Sequence, residues 1–540
     1  MSETADSYLM SQRKKAAKKR GALRRAGKRG LRRAARRNRD YLAWRHLTRN
    51  QKEVAQRIWK GDYQKIGPGG GWGFLDRFII FMKTIGFLEC LNVDGEGYVR
   101  RMITIAKLLL TYQVKILLGI ESMNQVPGLL FNDVGLLMML GYTAEQVENG
   151  HCKRGKGKNT RPMNKNTLAD ALDKFSPEEL EGILNGGVKL LAKLGFIRDT
   201  TFLMDATDLP TTEKCKGAGR RTVDKEKWSR KEKRMVTISE TTFGFKLMLL
   251  RSLDSRIIVA AKVRQIQESE KDWTLALVRQ AAENIGEGKI KLLLIDRGYL
   301  DGLTLWILKH NYGIDWIIPL RTDMHITKDA RGLRNTVDAK KIFREQREDL
   351  KVVGIAGLVS YDQYGGEEHQ KKYSTGKYFK GNPVNTVLVT QWKDKVYEPG
   401  HEPVFLTTLA VSEPLKILDK YDLRSLIENQ TNRELKQGWL ITKIPEKTQN
   451  AVTAHAILTL CMYNLTNAYR IGLGQDLADS GIRRFRRETA RQTRDKIVVF
   501  TEEHYGIFDL EELMFLVGKP SKWFSRHVDA EAFKEAHGIA

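Results

Sequence analysis

Lys291–Ile295 is a short apolar run that stops abruptly at Asp296-Arg297-Gly298-Tyr299. A strand apolar at every position, without alternation, is one buried on both faces, as in sheets covered by helices on each side. Such a strand excludes an all-helical chain and an open antiparallel sheet with one wet face. A second apolar run, Thr201–Ala206, carries Asp205 near its end. Between the two runs, Met235–Ser239, Phe243–Leu250 and Arg256–Val263 read as strands, and Asp272–Ile285 as a helix. After Asp296, Asp301 caps a helix to His310, and Ile314–Leu320 is a further strand. The order predicts a mixed α/β sheet with an aspartate at the carboxyl end of each of two strands, where α/β sheets place their sites.

The stretch Tyr421–Trp439, YDLRSLIENQTNRELKQGW, is expected to be one helix. Tyr421, Arg424 and Glu428 recur at i, i+3 and i+7 and stack on one face. Lys436 returns to within about 80° of Glu428 on an α-helical wheel. Glu434 falls off that face, while Leu426, Ile427 and Leu435 are left to pack. A solvated helix with an i,i+4 Arg–Glu pair would have the same pattern. Together, however, Asp205, Asp296 and Glu428 are three carboxylates on separate elements, and three convergent carboxylates can hold two Mg²⁺ (or Mn²⁺) ions for phosphoryl transfer. An oxygen-only ligand set suits those ions and not zinc. Asp208 is a rival to Asp205 as first ligand; Asp205 is favoured because it closes the apolar run.

The formal charge is +27, and residues 1–50 hold 17 Lys/Arg against three acids. This balance points to a polyanionic partner, nucleic acid first. The segment 11–39 is too densely cationic to pack by itself and is expected to be disordered until it meets a phosphate backbone. Four scattered cysteines, without Cys-x-x-Cys spacing, imply a reducing compartment and neither disulfides nor a zinc site. No stretch is apolar enough to span a bilayer. A cytoplasmic, nucleoid-associated protein with no membrane partner and no small-molecule substrate is expected.

Five segments follow. Residues 1–50 form the basic tail, and 51–198 a mostly helical DNA-binding or packing region, including a helix start at Ser176-Pro177-Glu178-Glu179. The catalytic fold comprises 199–324 and 413–475, and a β-rich insertion, opening with a charged helical piece at 338–350, occupies 325–412. A helical end region, for DNA binding or dimerisation, takes 476–540. His455, on the long apolar helix Ala451–Tyr469, reads as a satisfied core histidine. His151 beside Cys152 in the basic loop 151–162 has no partner pair for a metal, and IGPGGGWG at 66–73 lacks the Gly-Lys-Ser/Thr ending of a phosphate loop.

MDATD at 204–208, LLLIDRGYLDG at 292–302 and YDLRSLIENQTNRELKQGW at 421–439, in this order, resemble the DDE transposases of bacterial insertion sequences, in the group with a Tyr-Arg-Glu-Lys signature. The resemblance spans about 200–515. It implies a ribonuclease-H-like catalytic domain with a β-insertion, two-metal strand cleavage and strand transfer through a hairpin intermediate, and a homodimeric complex on terminal inverted repeats and target DNA. It also implies that Asp205, Asp296 and Glu428 are catalytic metal ligands, that Tyr421, Arg424, Lys436 and Arg297 contact phosphates, and that Trp392, the one tryptophan of 325–412, caps a flipped base. The spacing departs at one point: seven residues separate Glu428 from Lys436, where the signature has six. A catalytically silent DNA-binding repressor and a ribonuclease-H-type nuclease are the alternatives.

Overall fold

A computed structural model describes residues 48–69, 74–93, 103–151, 161–229, 234–336, 338, 340–360, 383–445, 447–473, 481–490 and 496–539. Residues 1–47 of the basic tail, 70–73 of the 66–73 loop and 152–160 of the 151–162 loop, Cys152 among them, lie outside the described residues.

Two sheets organise the chain. The smaller has four strands, β1 (Thr48–Arg49), β2 (Lys65–Pro68), β14 (Lys496–Phe500) and β15 (His504–Asp509), in the order β1-β15-β14-β2. It ties the first described residues to the last, so the two end regions share a core. Residues 476–540 hold helices at Ile482–Ala490, Leu510–Leu516, Lys522–His527 and Ala530–His537, and between the first two of these β14 and β15 bury Val498, Phe500 and Tyr505 in one cluster and Val499 and Phe508 in another.

The larger sheet has eleven strands. Its centre is built by β3 (Thr201–Thr211), β4 (Gly219–Ser229), β5 (Arg234–Ser252), β6 (Ile258–Gln265), β7 (Leu292–Ile295) and β8 (Asp315–Pro319). Lateral order is β6-β5-β3-β7-β8, antiparallel among the first three and parallel from β3 through β7 to β8. This is the ribonuclease-H-like order, and every residue of β7 is buried, as its unbroken apolar run demands. The insertion does not stand apart. Its strands β9 (Ile342–Arg347), β10 (Leu350–Leu358), β11 (Val384–Trp392), β12 (Lys395–Val396) and β13 (Val404–Thr407) extend the same sheet, β13 pairing antiparallel with β8. Residues 342–350, expected helical, form β9 and the turn into β10, because Arg344 and Gln346 find backbone partners in Val353 and Lys351.

The helix Pro177–Lys193 starts as its capping box requires, with Ser176 and Glu179 exchanging side-chain and backbone bonds. It packs on Gln449–Gly472, which is buried from Ala451 through Arg470. No helix among the described residues is long and apolar enough to cross a membrane. On this buried helix His455 is fully engaged: Nδ1 lies 2.8 Å from the Tyr112 hydroxyl and Nε2 3.1 Å from the Leu440 carbonyl oxygen. Nε2 must carry the proton to donate to that carbonyl, so Nδ1 accepts from Tyr112. Leu440 has φ of 58°, in the left-handed region, directly after the 421–439 stretch. His455 therefore pins the turn that ends that stretch.

Burial depresses the His455 pKa from 6.5 to about 3, helped by nearby Lys115. Between those values the unfolded chain binds a proton that the folded chain does not, so stability rises with pH across pH 3 to 6.5. The expected slope from this group is about 1.4 kcal/mol per pH unit. In His455→Gln, chemical denaturation across that window should lose this part of the slope; an unchanged slope would contradict the assignment.

Candidate active site

Parallel pairing of β3 with β7 sets Met204 against Ile295, so Asp205 and Asp296 come next, side by side. Neighbouring strands are about 4.8 Å apart, which brings the carboxylates close without any loop to place them. Asp205 does not end its strand. β3 continues to Thr211, because the polar stretch after it is itself a strand, β4. Asp296 ends β7, and its side chain accepts from the Gly298 N–H at the start of a tight turn. A Cβ at 298 would lie 2.1 Å from Glu270 Oε2, so any larger residue there would have to displace the Glu270 carboxylate.

The third carboxylate arrives on a segment that is not the single helix expected. A helix Pro414–Asp422 ends inside the signature stretch, a π-helical turn spans Ile427–Asn432, and α-helix resumes over Arg433–Gln437. A π turn takes one more residue per turn than an α turn. The eight-residue step from Glu428 to Lys436 thus completes close to two turns, and both side chains line one cavity of about 530 Å³ with Asp205 and Asp296. The extra residue between Glu428 and Lys436 is absorbed by this turn. Its far side is held from below: buried Arg251 donates through Nη1 to the Thr431 hydroxyl at 2.8 Å, and Thr431 lies 3.3 Å from the Tyr463 hydroxyl.

Arg424 sits among the three acids. Nη2 donates to Glu428 Oε1 at 2.8 Å, while Nη1 lies 3.9 Å from Asp205 Oδ1 and 3.7 Å from Asp296 Oδ1. Nη1 is buried yet hydrogen-bonded to neither aspartate. Burial pushes the Asp205 carboxyl up to about 7, opposed by Arg424 and reinforced by Glu428 and Asp296. Tyr421 packs its ring on Phe405 at 4.9 Å, and its hydroxyl reaches to 3.5 Å from the Ile295 carbonyl, just before Asp296. Arg297 is exposed on the turn that follows.

Two further residues of the cavity are not among those read from the sequence, although Asn432 stands four residues after Glu428, the spacing that shares a helix face. Asn432, buried at the end of the π turn, donates through Nδ2 to Asp205 Oδ2 at 2.8 Å, and its Oδ1 has no partner. Glu270, in a 3₁₀ turn, also lines the cavity and pairs with buried Lys246 at 2.9 Å. Asp208 is turned to the opposite face of β3 from Asp205 and is gripped by both terminal nitrogens of Arg221. It is a structural acid here. Trp392 is not brought to the carboxylates: it lies half-buried on β11, opposite Leu350 and three strands from β7.

Residues 198–465 match the family model of the transposase DDE domain. All three acids and the Tyr421–Lys436 set fall inside the matched segment. No curated protein matches the chain. Among solved structures, the piggyBac transposase synaptic complex with hairpin DNA is similar at 10% identity, over 88% of this chain and 87% of that one, with a TM-score of 0.35.

Among the described residues no three acid, histidine or cysteine side chains stand close enough to hold one metal ion as placed. Arg424 explains this, since its guanidinium occupies the space the acids share. The donor chemistry of the DDE segment nonetheless fits a hard divalent cation: oxygen ligands, a positive charge already drawn to them, and the unpartnered Asn432 carbonyl. Arg424→Gln should leave the acids repelling one another and lower stability by about 1–2 kcal/mol in EDTA, the pair with Glu428 being half-exposed. Mg²⁺ should restore more of the melting temperature in this variant than in wild type; equal Mg²⁺ shifts in the two would refute the role given to Arg424.

Proposed function

We propose that the chain is a DNA transposase of the DDE type, cutting and joining phosphodiester bonds at this carboxylate cluster. The observation that carries the reading is the convergence of Asp205, Asp296 and Glu428 on one guanidinium inside the segment matching the transposase DDE domain. The finer reading is an insertion-sequence enzyme of the Tyr-Arg-Glu-Lys group, acting as a homodimer on inverted repeats by a hairpin route.

Asp205, Asp296 and Glu428 would hold two Mg²⁺ or Mn²⁺ ions. When bound, such ions activate the attacking water or 3′-hydroxyl and stabilise the leaving oxygen. The remaining work belongs to the protein. Asn432 fixes one oxygen of Asp205, leaving the other to face the cavity. Arg424 must release the acids before they can draw together, and a DNA phosphate suits it, because a guanidinium binds phosphate through two parallel hydrogen bonds. Lys436, which lines the cavity, and Arg297, exposed on the turn after Asp296, would neutralise flanking phosphates. Tyr421, braced by Phe405, fixes the entry of the signature segment against the Asp296 strand.

The decisive experiment is cleavage and strand transfer on labelled DNA that carries the ends flanking the gene, in Mg²⁺ or EDTA. Asp205→Asn, Asp296→Asn and Glu428→Gln should each lose several kcal/mol of transition-state stabilisation, on the order of 10³-fold in rate. Full activity in any of the three would remove that residue from the chemistry. Tight, sequence-specific binding with no cutting by the wild type would instead identify a silent DNA-binding protein.

A further inference from the structure

Strands β4 and β5 leave the large sheet together. Their register runs from Gly219 opposite Gly244 to Ser229 opposite Arg234. β5 meets β3 only from Phe243 onward, and β6 only from Phe245. Residues 220–229 and 234–242 therefore pair with each other alone among the described residues, a two-stranded ribbon roughly 30 Å long at about 3.4 Å per residue. It diverges at Gly244, where a Cβ would lie 2.4 Å from the Leu209 carbonyl oxygen.

A free two-stranded ribbon is marginal in water. This one is held by its own cross-strand contacts, Lys225 to Glu240 at 2.7 Å and the Thr222 and Thr241 hydroxyls at 3.0 Å. It also exposes apolar side chains: Trp228 is 62% accessible, Met235 52% and Ile238 43%. Alternation places Arg221, Val223, Lys225 and Lys227 on one face, with Ile238 and Val236 opposite the two lysines. Lysines on an edge strand serve to prevent edge-to-edge pairing. That role accounts for the charge of β4 and leaves the exposed tryptophan and aliphatic residues beside it without a purpose.

The root of the ribbon lies at the active site. β3 runs from Asp205 through Asp208 to the turn that enters β4, and Arg221 grips Asp208. The arm leaves β3 at Thr211, six residues beyond Asp205, and Arg221 at its root ties it to Asp208, so it extends from the strand that carries the first acid.

We propose that this ribbon is a DNA-gripping arm that enters the major groove of the duplex beside the scissile phosphate. The major groove, about 12 Å wide, admits a two-stranded ribbon as it stands, whereas the minor groove, about 6 Å wide, takes one only when the duplex is bent or widened. The face bearing Lys225 and Lys227 meets the phosphates, and Trp228 and Met235, at the far end, make apolar contacts in the groove. The proposal rests on the transposase reading.

The test is fluorescence anisotropy of the full chain on a linear duplex of arbitrary sequence and on one carrying the gene's flanking ends, across a salt series. Lys225→Gln/Lys227→Gln is expected to weaken binding roughly tenfold at about 0.1 M salt and to lower the salt slope by about two, one per lost phosphate contact. Trp228→Ala should weaken binding and leave the slope alone. Both variants should melt within about a few degrees of wild type, since Trp228 is exposed and the half-exposed Lys225–Glu240 pair is worth little to stability. Wild-type affinity and slope in the lysine variant, with wild-type cleavage intact, would overturn the arm and spare the transposase reading. A wild type that neither binds nor cuts DNA would defeat the transposase reading itself. If Trp228→Ala instead dissociates a dimer in sedimentation while DNA binding is unaltered, the ribbon serves a second copy of the chain and the proposal fails.

Discussion

The active end of this molecule depends on one guanidinium. Asp205 and Asp296 are forced together by parallel strand pairing, and Glu428 is brought over them by the signature segment. Like charges so placed repel, and burial raises the cost, which is why the Asp205 carboxyl is held far above its ordinary range. Arg424 offsets both effects at once, touching all three acids from a position four residues before Glu428. The contact that makes the metal-free site tolerable is also the one that keeps it open. A cation of higher charge density and a phosphate for the arginine would together exchange partners with no net loss of pairing.

Around that interaction the structure uses polar contacts between segments far apart in the chain. The π turn costs regular α-helical bonds, and it persists because Arg251 holds Thr431 and Asp205 holds Asn432. Such turns recur at functional sites, since they let one residue bulge without ending the helix. Here the bulge re-aims Lys436 toward Glu428 and gives Asn432 its bond to Asp205. The end of the segment is fixed as firmly, by His455 on the buried helix and the left-handed turn at Leu440.

The large sheet carries this chemistry on a frame that runs well past it. On one side the β-rich insertion lengthens the sheet from β8 through β13 to β9. On the other, β4 and β5 project as a ribbon from the strand that holds Asp205. Asp208 shows how closely the two parts adjoin: three positions from Asp205, it faces the other way and pairs with Arg221 at the root of the ribbon.

Much of this was legible in the sequence, and for local reasons. Unbroken apolar runs specify buried central strands, capping pairs such as Ser176–Glu179 mark helix starts, and period-two patterns mark most of the insertion's strands. The acids stood out because they ended or interrupted those runs. Tertiary structure decided what depends on distant partners. The helix over 421–439 became a π turn because Thr431 and Asn432 meet Arg251 and Asp205, and helical periodicity carries no trace of partners some two hundred residues away. Residues 342–347 became a strand because β10 lay ready to pair with them, and backbone pairing overrides a charged, helix-favouring composition. Glu270 entered the site from a polar turn that looks like any other surface loop. The sequence by itself determined which strands are central and which acids lie beside them, since burial is encoded residue by residue. Where the arginine, the asparagine and the ribbon would point was decided only when the strands paired, since direction belongs to the register between segments.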